Sequence, residues 1–243
     1  SDTAAIVWPF MTDQEKKSCP SVARVLPPMI AALAVGGNSL ATDGLVALPD
    51  DYAELVRYTV LGSEIEPHDP MENAFHEFAR LHLGDAGFPE PVWSLAREYE
   101  LSPDLMAMTH AWQSSGLPHH VIACKGAPEA VAGLCHLSET RRLQMATEAS
   151  VLAGQGLRVL GVAKAIYPTD QTWPEIQHDF DFEFIGLVGL EDPVRQDVPA
   201  AVAACQQAGI RVVMITGDHP ATARAIARRI GIVAQQGEAA LLT

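Results

Sequence analysis

The most constraining feature of this sequence is a short apolar run that passes into a polar turn and then into a helical pattern. Residues 210–215 are almost all apolar and mostly β-branched, which predicts a buried parallel strand. Thr216, Gly217 and Asp218 end the run. Pro220 then opens a helical pattern that Gly231 closes, as expected for proline at helix starts and glycine just beyond helix ends. A turn of this kind, between a strand and a helix amino end, is a common phosphate site in open α/β sheets, although alone it is equally typical of an ordinary connection.

The residues before this turn predict a second strand and helix of the same kind. Residues 179–184 alternate between acidic residues and phenylalanine, which predicts a strand with one apolar face, and residues 185–190 are apolar on both faces. Asp192 ends this strand, and Asp197 is expected to cap a helix over residues 198–208. The order strand, helix, strand, helix predicts a parallel βαβα unit. We therefore expect Asp192 and the turn at Thr216 to meet at one edge of a sheet, which favours the phosphate site.

Composition excludes several classes of function. The formal net charge of −14 disfavours nucleic acid or anionic lipid as the main partner. No apolar run approaches the roughly 20 residues that span a bilayer, and no signal peptide is visible, so we expect any membrane part to lie outside this chain. The four cysteines lack paired spacing, which indicates reduced thiols rather than a metal site: Cys19, Cys124, Cys135 and Cys205.

Two cationic side chains sit at predicted strand ends. Residues 106–112 and 119–124 predict a hairpin whose second strand leads into Lys125 and Gly126. The lysine is either a nucleotide ligand, with the glycine admitting that ligand to the backbone, or a solvated residue at a strand end. Arg158 lies near the start of a strand predicted over residues 157–166, where a guanidinium can hold a phosphate with two hydrogen bonds.

A helix start supplies a candidate carboxylate. Asp69 before Pro70 predicts an N-cap followed by proline at the first helical position, with the helix ending near Leu83. Glu72 then either closes a capping box onto the backbone N–H of Asp69 or points into a pocket and accepts from a ligand. His76 and His82 on this helix are expected to lie at the surface.

The remaining pattern is less specific. Residues 4–8 predict a strand, residues 29–35 a short helix, residues 52–61 a helix or a strand, and residues 139–152 a helix. We interpret His119 and His120, at the hairpin edge, as solvated turn residues.

Five blocks of this sequence resemble P-type cation-transporting ATPases and occur in the order of that family. The resemblance covers essentially the whole chain and is closest to the calcium-pump-like and related bacterial branch. The blocks are Asp69-Pro70-Met71-Glu72, Lys125-Gly126-Ala127-Pro128-Glu129, Gly156-Leu157-Arg158-Val159-Leu160, Asp192-Pro193-Val194-Arg195 and Thr216-Gly217-Asp218-His219-Pro220-Ala221-Thr222-Ala223.

The resemblance implies an α/β fold with two domains. Residues 1–191 would form the nucleotide-binding domain, an antiparallel sheet flanked by helices. Residues 192–243 would form part of the phosphorylation domain, a partial haloacid-dehalogenase-like Rossmann unit. The implied ligands are ATP and Mg²⁺, with most of the magnesium site outside this chain. The implied partner is the remainder of the same pump, and the implied location is the cytoplasmic side of the cell membrane.

The resemblance also implies roles for single residues. Glu72 would lie near the adenine amino group, Lys125 with Gly126 near the base, and Arg158 toward the phosphates. Asp192 and Arg195 would position the nucleotide and the hinge. Thr216, Gly217 and Asp218 would form the catalytic turn, in which the hydroxyl and amide of the first two hold the transferred phosphoryl group.

Three departures from the family pattern limit these implications. Leu101 and Met106 stand where the family has an aromatic residue that stacks on adenine and a lysine, which predicts weak ATP binding. The phosphorylation block and the downstream magnesium loop are absent, which predicts no ATP turnover by this chain alone. Two alternatives stay open: a haloacid-dehalogenase-type phosphatase using Asp179 and Asp181, and an interaction domain that binds no nucleotide.

Overall fold

Strands from across the chain assemble into one antiparallel sheet in the computed structural model, which describes residues 27–89, 93–114 and 116–232. The order across the sheet is β2-β1-β7-β6-β5-β4-β3, and all neighbouring strands run antiparallel. The strands are β1 (Met29–Val35), β2 (Asn38–Ala41), β3 (Trp93–Tyr99), β4 (Ala107–Ser114), β5 (His119–Gly126), β6 (Arg158–Pro168) and β7 (Glu183–Glu191).

Helices cover both faces of this sheet. The helices are α1 (Asp50–Leu61), α2 (Pro70–His82), α3 (Pro128–Leu134), α4 (Glu139–Gly154), α5 (Val198–Gln207) and α6 (Pro220–Arg229). Helices α1 and α2 pack on one face in a core that includes Leu55, Phe75 and Val162. Helices α3 and α4 pack on the other face, where Val131 and Met145 are buried. The prediction of an antiparallel sheet flanked by helices is confirmed.

The predicted helix over residues 29–35 is wrong, because this segment is β1. Leu33 and Ala34 are both buried, on opposite faces of the sheet, between β2 and β7. A short run that is buried on both faces shows no period, so the pattern cannot separate a strand from a helix. The ambiguous residues 52–61 belong to helix α1, and the strand predicted over residues 4–8 lies outside the described residues.

The alternating residues 179–184 do not form the predicted strand. A short 3-10 helix spans Gln177–Asp179, and β7 begins only at Glu183. Phe180 and Phe182 are buried in the core beneath α3, while Asp181 is exposed. The alternation therefore indicates that every second side chain is buried, but residues 179–182 do not pair with a neighbouring strand.

The predicted parallel βαβα unit is also wrong for the part of the chain that the structure describes. Residues 210–215 form no strand, and Ile215 is 88% exposed. Strand β7 is flanked by β1 and β6 in the antiparallel sheet, so no neighbouring position is open to another strand. Since a strand's N–H and C=O groups need a partner strand, an apolar sequence alone does not make one. Asp192 and Thr216 accordingly do not end neighbouring strands.

The two helices of this region form as predicted. Gly209 and Gly231 follow α5 and α6 with φ of 76° and 78°, the left-handed conformation that glycine favours at helix ends. Asp197 lies at the N-cap position of α5 but makes no capping hydrogen bond, because its carboxylate pairs with Arg195. None of the described helices combines the length and the hydrophobicity of a bilayer-spanning segment.

Two histidines expected at the surface are buried. His76 on α2 is 8% exposed and packs against the ring of Phe88. His120 on β5 is 6% exposed, with its ring centroid 4.4 Å from that of Trp173. The covering ring lies 12 positions along the chain for His76 and 53 for His120, outside the helix or strand that carries each histidine, so the local pattern gives no signal of burial.

Candidate functional site

A buried ion pair joins two of the predicted site residues. Lys125 is the penultimate residue of β5 and is 4% exposed, and Glu72 in the first turn of α2 is 7% exposed. The Lys125 Nζ lies 2.5 Å from Glu72 Oε1, 2.5 Å from the Gly62 carbonyl oxygen and 2.9 Å from Ser63 Oγ. An ammonium has three N–H donors, so all three are used inside the protein.

The start of helix α2 sets the direction of the Glu72 carboxylate. Asp69 Oδ1 accepts from the backbone N–H groups of Met71 and Glu72, which confirms the predicted N-cap. Of the two alternatives for Glu72, the capping box is wrong, because Glu72 Oε2 accepts from the Glu64 N–H at 3.2 Å and Oε1 accepts from Lys125. The alternative in which Lys125 is a solvated residue at a strand end is likewise wrong, because its side chain is 5% exposed and its ammonium is bound inside the protein.

The pair is shielded from solvent, with Lys125 4% and Glu72 7% exposed. Burial lowers the pKa of Lys125, and the neighbouring carboxylate of Glu72 opposes that shift. Burial also lowers the pKa values of His76 and His110. His110 is 1% exposed on β4, and its Nε2 lies 3.4 Å from Glu98 Oε1, too poorly placed for a hydrogen bond. The buried ammonium of Lys125 and the buried carboxylate of Glu72 therefore stabilise each other in a region of low dielectric constant.

Gly126 is required by the neighbouring strand rather than by an approaching ligand. A Cβ atom built at this position would lie 2.3 Å from the Met106 carbonyl oxygen and 2.5 Å from Ala107 Cα. The Ala127 N–H donates to the same Met106 carbonyl at 2.8 Å. The backbone of β4 thus fills the space that the sequence interpretation left for a ligand.

A second, exposed ion pair brings together three other predicted residues. Arg158, the first residue of β6, places Nε 3.1 Å and Nη2 3.0 Å from Asp218 Oδ1. The Thr216 hydroxyl donates to Asp218 Oδ2 at 2.8 Å and accepts from the Asp218 N–H at 3.1 Å. Gly217 is exposed between them. The turn therefore reaches Arg158 although the predicted strand before it does not form.

Helix α6 holds this turn against the sheet. The Thr222 hydroxyl donates to the Leu157 carbonyl at 2.8 Å in a buried position. Arg229 donates to the Gln155 carbonyl at 2.7 Å and to Glu191 Oε1 at 2.8 Å. These bonds join helix α6, which follows Asp218, to the residues just before Arg158 and to the end of β7. They thereby hold Arg158 and Asp218 close to each other.

Asp192 and Arg195 lie in the connection after β7. Asp192 is exposed, and the Arg195 guanidinium binds Asp197 two residues along, at 2.7 Å and 3.1 Å. The structure thus groups the predicted residues as Glu72 with Lys125 and as Arg158 with Thr216 and Asp218. It does not join Asp192 to either group.

Arg158 and the Glu72–Lys125 pair lie on one face and toward one end of the sheet. Lys125 lies opposite Met108 on β4 and Val162 on β6, and Val162 packs against helices α1 and α2. Side chains alternate along a strand, so Arg158, four residues before Val162 on β6, lies on the same face. At ~3.3 Å per residue, the two positions are about 13 Å apart. Met106 lies at the same end, where its carbonyl fills the space beside Gly126. Leu101 is close to Met106 in sequence, and the two side chains are 54% (Leu101) and 50% (Met106) exposed.

Sequence reasoning missed Gly62 and Ser63, which lie between α1 and α2. Gly62 is the C-cap of α1, and the carbonyls at a helix carboxyl end need donors from elsewhere. That need was the available signal, but nothing in the sequence says that the donor is a lysine 63 positions away.

A groove of about 660 Å³ opens elsewhere on the same side of the sheet, between β1 and helix α2. Its walls include Met29, Asp43, Phe78 and Leu81, and neither Lys125 nor Arg158 lines it. No cluster of three or more His, Cys, Asp or Glu residues suited to a metal ion occurs in the described ranges.

Sequence comparison identifies relatives of the chain. A family model of haloacid dehalogenase-like hydrolases matches residues 140–239. A sodium/potassium exporting P-type ATPase of Schizosaccharomyces pombe is 34% identical over 188 residues, which is 73% of this chain and 18% of the relative. The potassium-transporting ATPase alpha chain 2 of Cavia porcellus is 32% identical over 70% of this chain and 18% of its own length. The sodium/potassium-transporting ATPase subunit alpha of Drosophila melanogaster is 31% identical over 69% and 17%.

The chain thus spans less than a fifth of the length of these relatives. The matched region nevertheless covers about seven tenths of this chain, and the separate hydrolase match covers the part that carries Arg158 and Asp218. By sequence, the chain is a relative of the P-type ATPases and contains a segment that matches the haloacid dehalogenase-like hydrolases.

Proposed function

We propose that this chain is the ATP-binding part of a P-type cation-transporting ATPase, with the base near Glu72 and the phosphates at Arg158. Residues 1–191 would form the nucleotide-binding domain and residues 192–243 part of the phosphorylation domain. The observation that carries the proposal is that Lys125 and Arg158 lie on one face of the sheet toward one end, where the Met106 carbonyl accepts from Ala127 and Glu72 binds Lys125. The distance along the sheet between the Glu72–Lys125 pair and Arg158 would let one nucleotide contact both.

The base end offers an acceptor and an apolar surface. Each Glu72 carboxylate oxygen has one partner, so acceptor capacity is left for an exocyclic amino group. Leu101 and Met106 supply exposed aliphatic surface in place of the family's aromatic ring and lysine. Aliphatic contact gives dispersion without ring stacking, which supports weak rather than tight binding.

The phosphate end is arranged around an oxyanion. The Arg158 guanidinium already binds one carboxylate oxygen, Asp218 Oδ1, by donating its Nε–H at 3.1 Å with Nη2 at 3.0 Å, and a guanidinium binds phosphate oxygens through the same groups. A nucleotide phosphate would take the place of this carboxylate. Thr216, Gly217 and Asp218 would then lie beside the phosphate chain, and Asp192 with Arg195 would position the connection between the domains.

The whole-protein activity that we propose is ATP hydrolysis coupled to cation transport, on the cytoplasmic side of a membrane and together with the other parts of the same pump. The relatives named above are sodium and potassium pumps. ATP would bind with Mg²⁺, whose site would lie mostly in parts of the pump outside this chain. The nucleophile that accepts the phosphoryl group in this family is absent from the sequence, so we expect no turnover by this chain alone.

Titration with Mg-ATP, followed by amide chemical shifts, tests the proposal. We expect saturable shifts around β4, β5 and the start of β6. Arg158→Ala should weaken ATP and ADP more than adenosine, while Arg141→Ala on the opposite face should leave all three unchanged. Equal weakening of all three ligands by Arg158→Ala would contradict the phosphate assignment. An absence of any shift would favour an interaction domain without nucleotide.

The phosphatase alternative has less support. Such an enzyme needs two aspartates at the carboxyl end of a strand, whereas Asp179 and Asp181 precede the amino end of β7. An assay with small phosphoesters should therefore show no hydrolysis.

A further inference from the structure

We propose that the groove between β1 and helix α2 is a docking surface for residues 4–11 of the same chain, with Lys16 and Lys17 beside its carboxylates. The groove encloses about 660 Å³, and no member of the two ion pairs described above lines it. The docking surface is separate from the proposed ATP site, so either proposal can fail while the other stands.

The first argument is that the walls of the groove are fixed. Phe78 and Leu81 line it from helix α2, which packs on the sheet. The opposite wall is the connection after β2, where Thr42 Oγ1 donates to the Ile30 carbonyl at 2.6 Å and the Thr42 N–H donates to the Ala31 carbonyl at 3.0 Å. Walls that are tied to a helix and a strand need little rearrangement to take a ligand.

The second argument is the apolar surface that the fold leaves uncovered in the groove. Ala74, toward the start of helix α2, is 5% exposed and belongs to the core with β1, whereas Leu81 near the helix end is 78% exposed. Met29 on the β1 side is 54% exposed, and Phe78 is half-buried between these positions. Neighbouring exposed apolar side chains of this kind mark interaction sites.

The third argument is the charge of the groove. Asp43 and Glu77 line it as exposed carboxylates, and Glu191, also in the lining, is already bound by Arg229. Carboxylates repel the phosphates of a nucleotide, so this groove does not suit ATP. It suits an apolar ligand that carries no net negative charge or that brings cations of its own.

The chain supplies a segment with this chemistry. Residues 4–11 contain five large apolar side chains: Ile6, Val7, Trp8, Phe10 and Met11. Lys16 and Lys17 follow shortly afterwards and can meet the carboxylates of the groove. Residues 1–26 contain as many lysines and arginines as acidic residues, so the formal net charge of −14 belongs entirely to the rest of the chain. Charge therefore favours contact between this segment and the acidic groove.

The connection between segment and groove favours the chain's own residues over those of a partner. Residues 12–26 join the segment to Pro27, and the next residue, Pro28, itself lines the groove. A link of this length reaches at most about 50 Å, at ~3.3 Å per residue, so it can return the segment to the groove. Tethering raises the effective concentration of a ligand to about the millimolar range, which populates even weak docking.

Amide chemical shifts of the full chain test the docking. In the variant that combines Trp8→Ala with Phe10→Ala, we expect shift changes at residues 42–45 and 77–82, because the groove loses its two largest ligand side chains. Val22→Ala is the matched control, since it removes apolar surface before Pro27 but outside residues 4–11, and it should leave those amides unchanged. Unchanged shifts in β4 and β5 show that each variant is folded.

A synthetic peptide of residues 2–18 provides the reciprocal measurement. Added to the Trp8→Ala, Phe10→Ala variant, it should return the groove amides toward their wild-type shifts. A further Leu81→Glu substitution should weaken this peptide by about tenfold or more, the order expected for one buried leucine side chain. Leu143→Glu is the control, at a 64% exposed leucine of helix α4 on the opposite face of the sheet, and should leave the affinity unchanged.

Three results would overturn the proposal. The first is that the Trp8→Ala, Phe10→Ala variant keeps wild-type shifts at the groove. The second is that the peptide leaves the groove amides unmoved at millimolar concentration, or binds the Leu81→Glu and Leu143→Glu variants equally. The third is that the wild-type groove shifts depend on protein concentration, which would assign the groove to the segment of a second copy.

Discussion

The two ion pairs of the site have similar chemistry and very different settings. Glu72 and Lys125 meet between helix α2 and one face of the seven-stranded sheet, with side chains 9% and 5% exposed. Arg158 and Asp218 meet at the surface, with side chains 50% and 21% exposed, and Asp218 follows a segment that forms no strand. A buried pair is fixed by its surroundings, whereas an exposed pair costs little to break. The first pair suits permanent architecture, and the second suits exchange with a ligand.

The largest expected difference lies in amide hydrogen exchange. Amides in the middle of β5 are paired on both sides and should exchange only with global unfolding, about 5–15 kcal/mol for a typical domain. Residues 211–215 form no strand and should exchange with almost no protection. Mass spectrometry or NMR detects this difference directly. Equal protection in both regions would mean that the C-terminal segment is paired in solution.

Substitution of the two cations should separate the pairs in stability. Lys125→Met leaves Glu72 buried without a cation, and we expect it to lower the free energy of unfolding by about 3–5 kcal/mol. Arg158→Met breaks an exposed pair and should lower it by less than about 1 kcal/mol. Urea unfolding of both variants gives the comparison. Similar losses would show that the surface pair is more rigid than its exposure indicates.

A glycine substitution tests the backbone contact beside the buried pair. Gly126→Ala would place Cβ against the Met106 carbonyl, and we expect a loss of about 1–3 kcal/mol from the forced strand shift. Gly133→Ala is the control, because α3 has open space at that position and alanine favours helix. It should leave stability unchanged or raise it slightly. A neutral Gly126→Ala would mean that β4 and β5 separate more easily here than the geometry indicates.

The smallest effect is a dependence of stability on pH. Burial lowers the pKa values of His76, His110 and His120 in the folded protein, so the unfolded chain takes up protons first as the pH falls. Their stabilising contribution is complete above about pH 6.5 and is lost below it, with a slope of at most about 1.4 kcal/mol per pH unit for each histidine. Urea unfolding at several pH values measures the slope, and His110→Phe should reduce it. An unchanged slope would place the linkage elsewhere.

Sequence patterns predicted the elements that local chemistry decides. The N-cap at Asp69, the hairpin of β4 and β5 and the helix ends at Gly209 and Gly231 depend on a few neighbouring residues, and all are present. These signals work because capping, turn geometry and left-handed glycine are properties of short segments.

Features that depend on distant partners were not predictable in the same way. Residues 210–215 have a strand sequence but no strand beside them, and residues 29–35 become a strand because β2 and β7 flank them. The direction of Glu72 also depends on Lys125, which lies 53 positions away. Sequence named both charges as candidates, yet only the fold shows that they neutralise each other.

The pairing of Met29 with Glu191 has a consequence for how this sheet connects to its surroundings. The first strand, β1, begins beside the point where the last strand, β7, ends. The two ends of the segment 29–191 therefore lie next to each other. This proximity would let the segment be transplanted into an exposed turn of a host protein without stretching either junction.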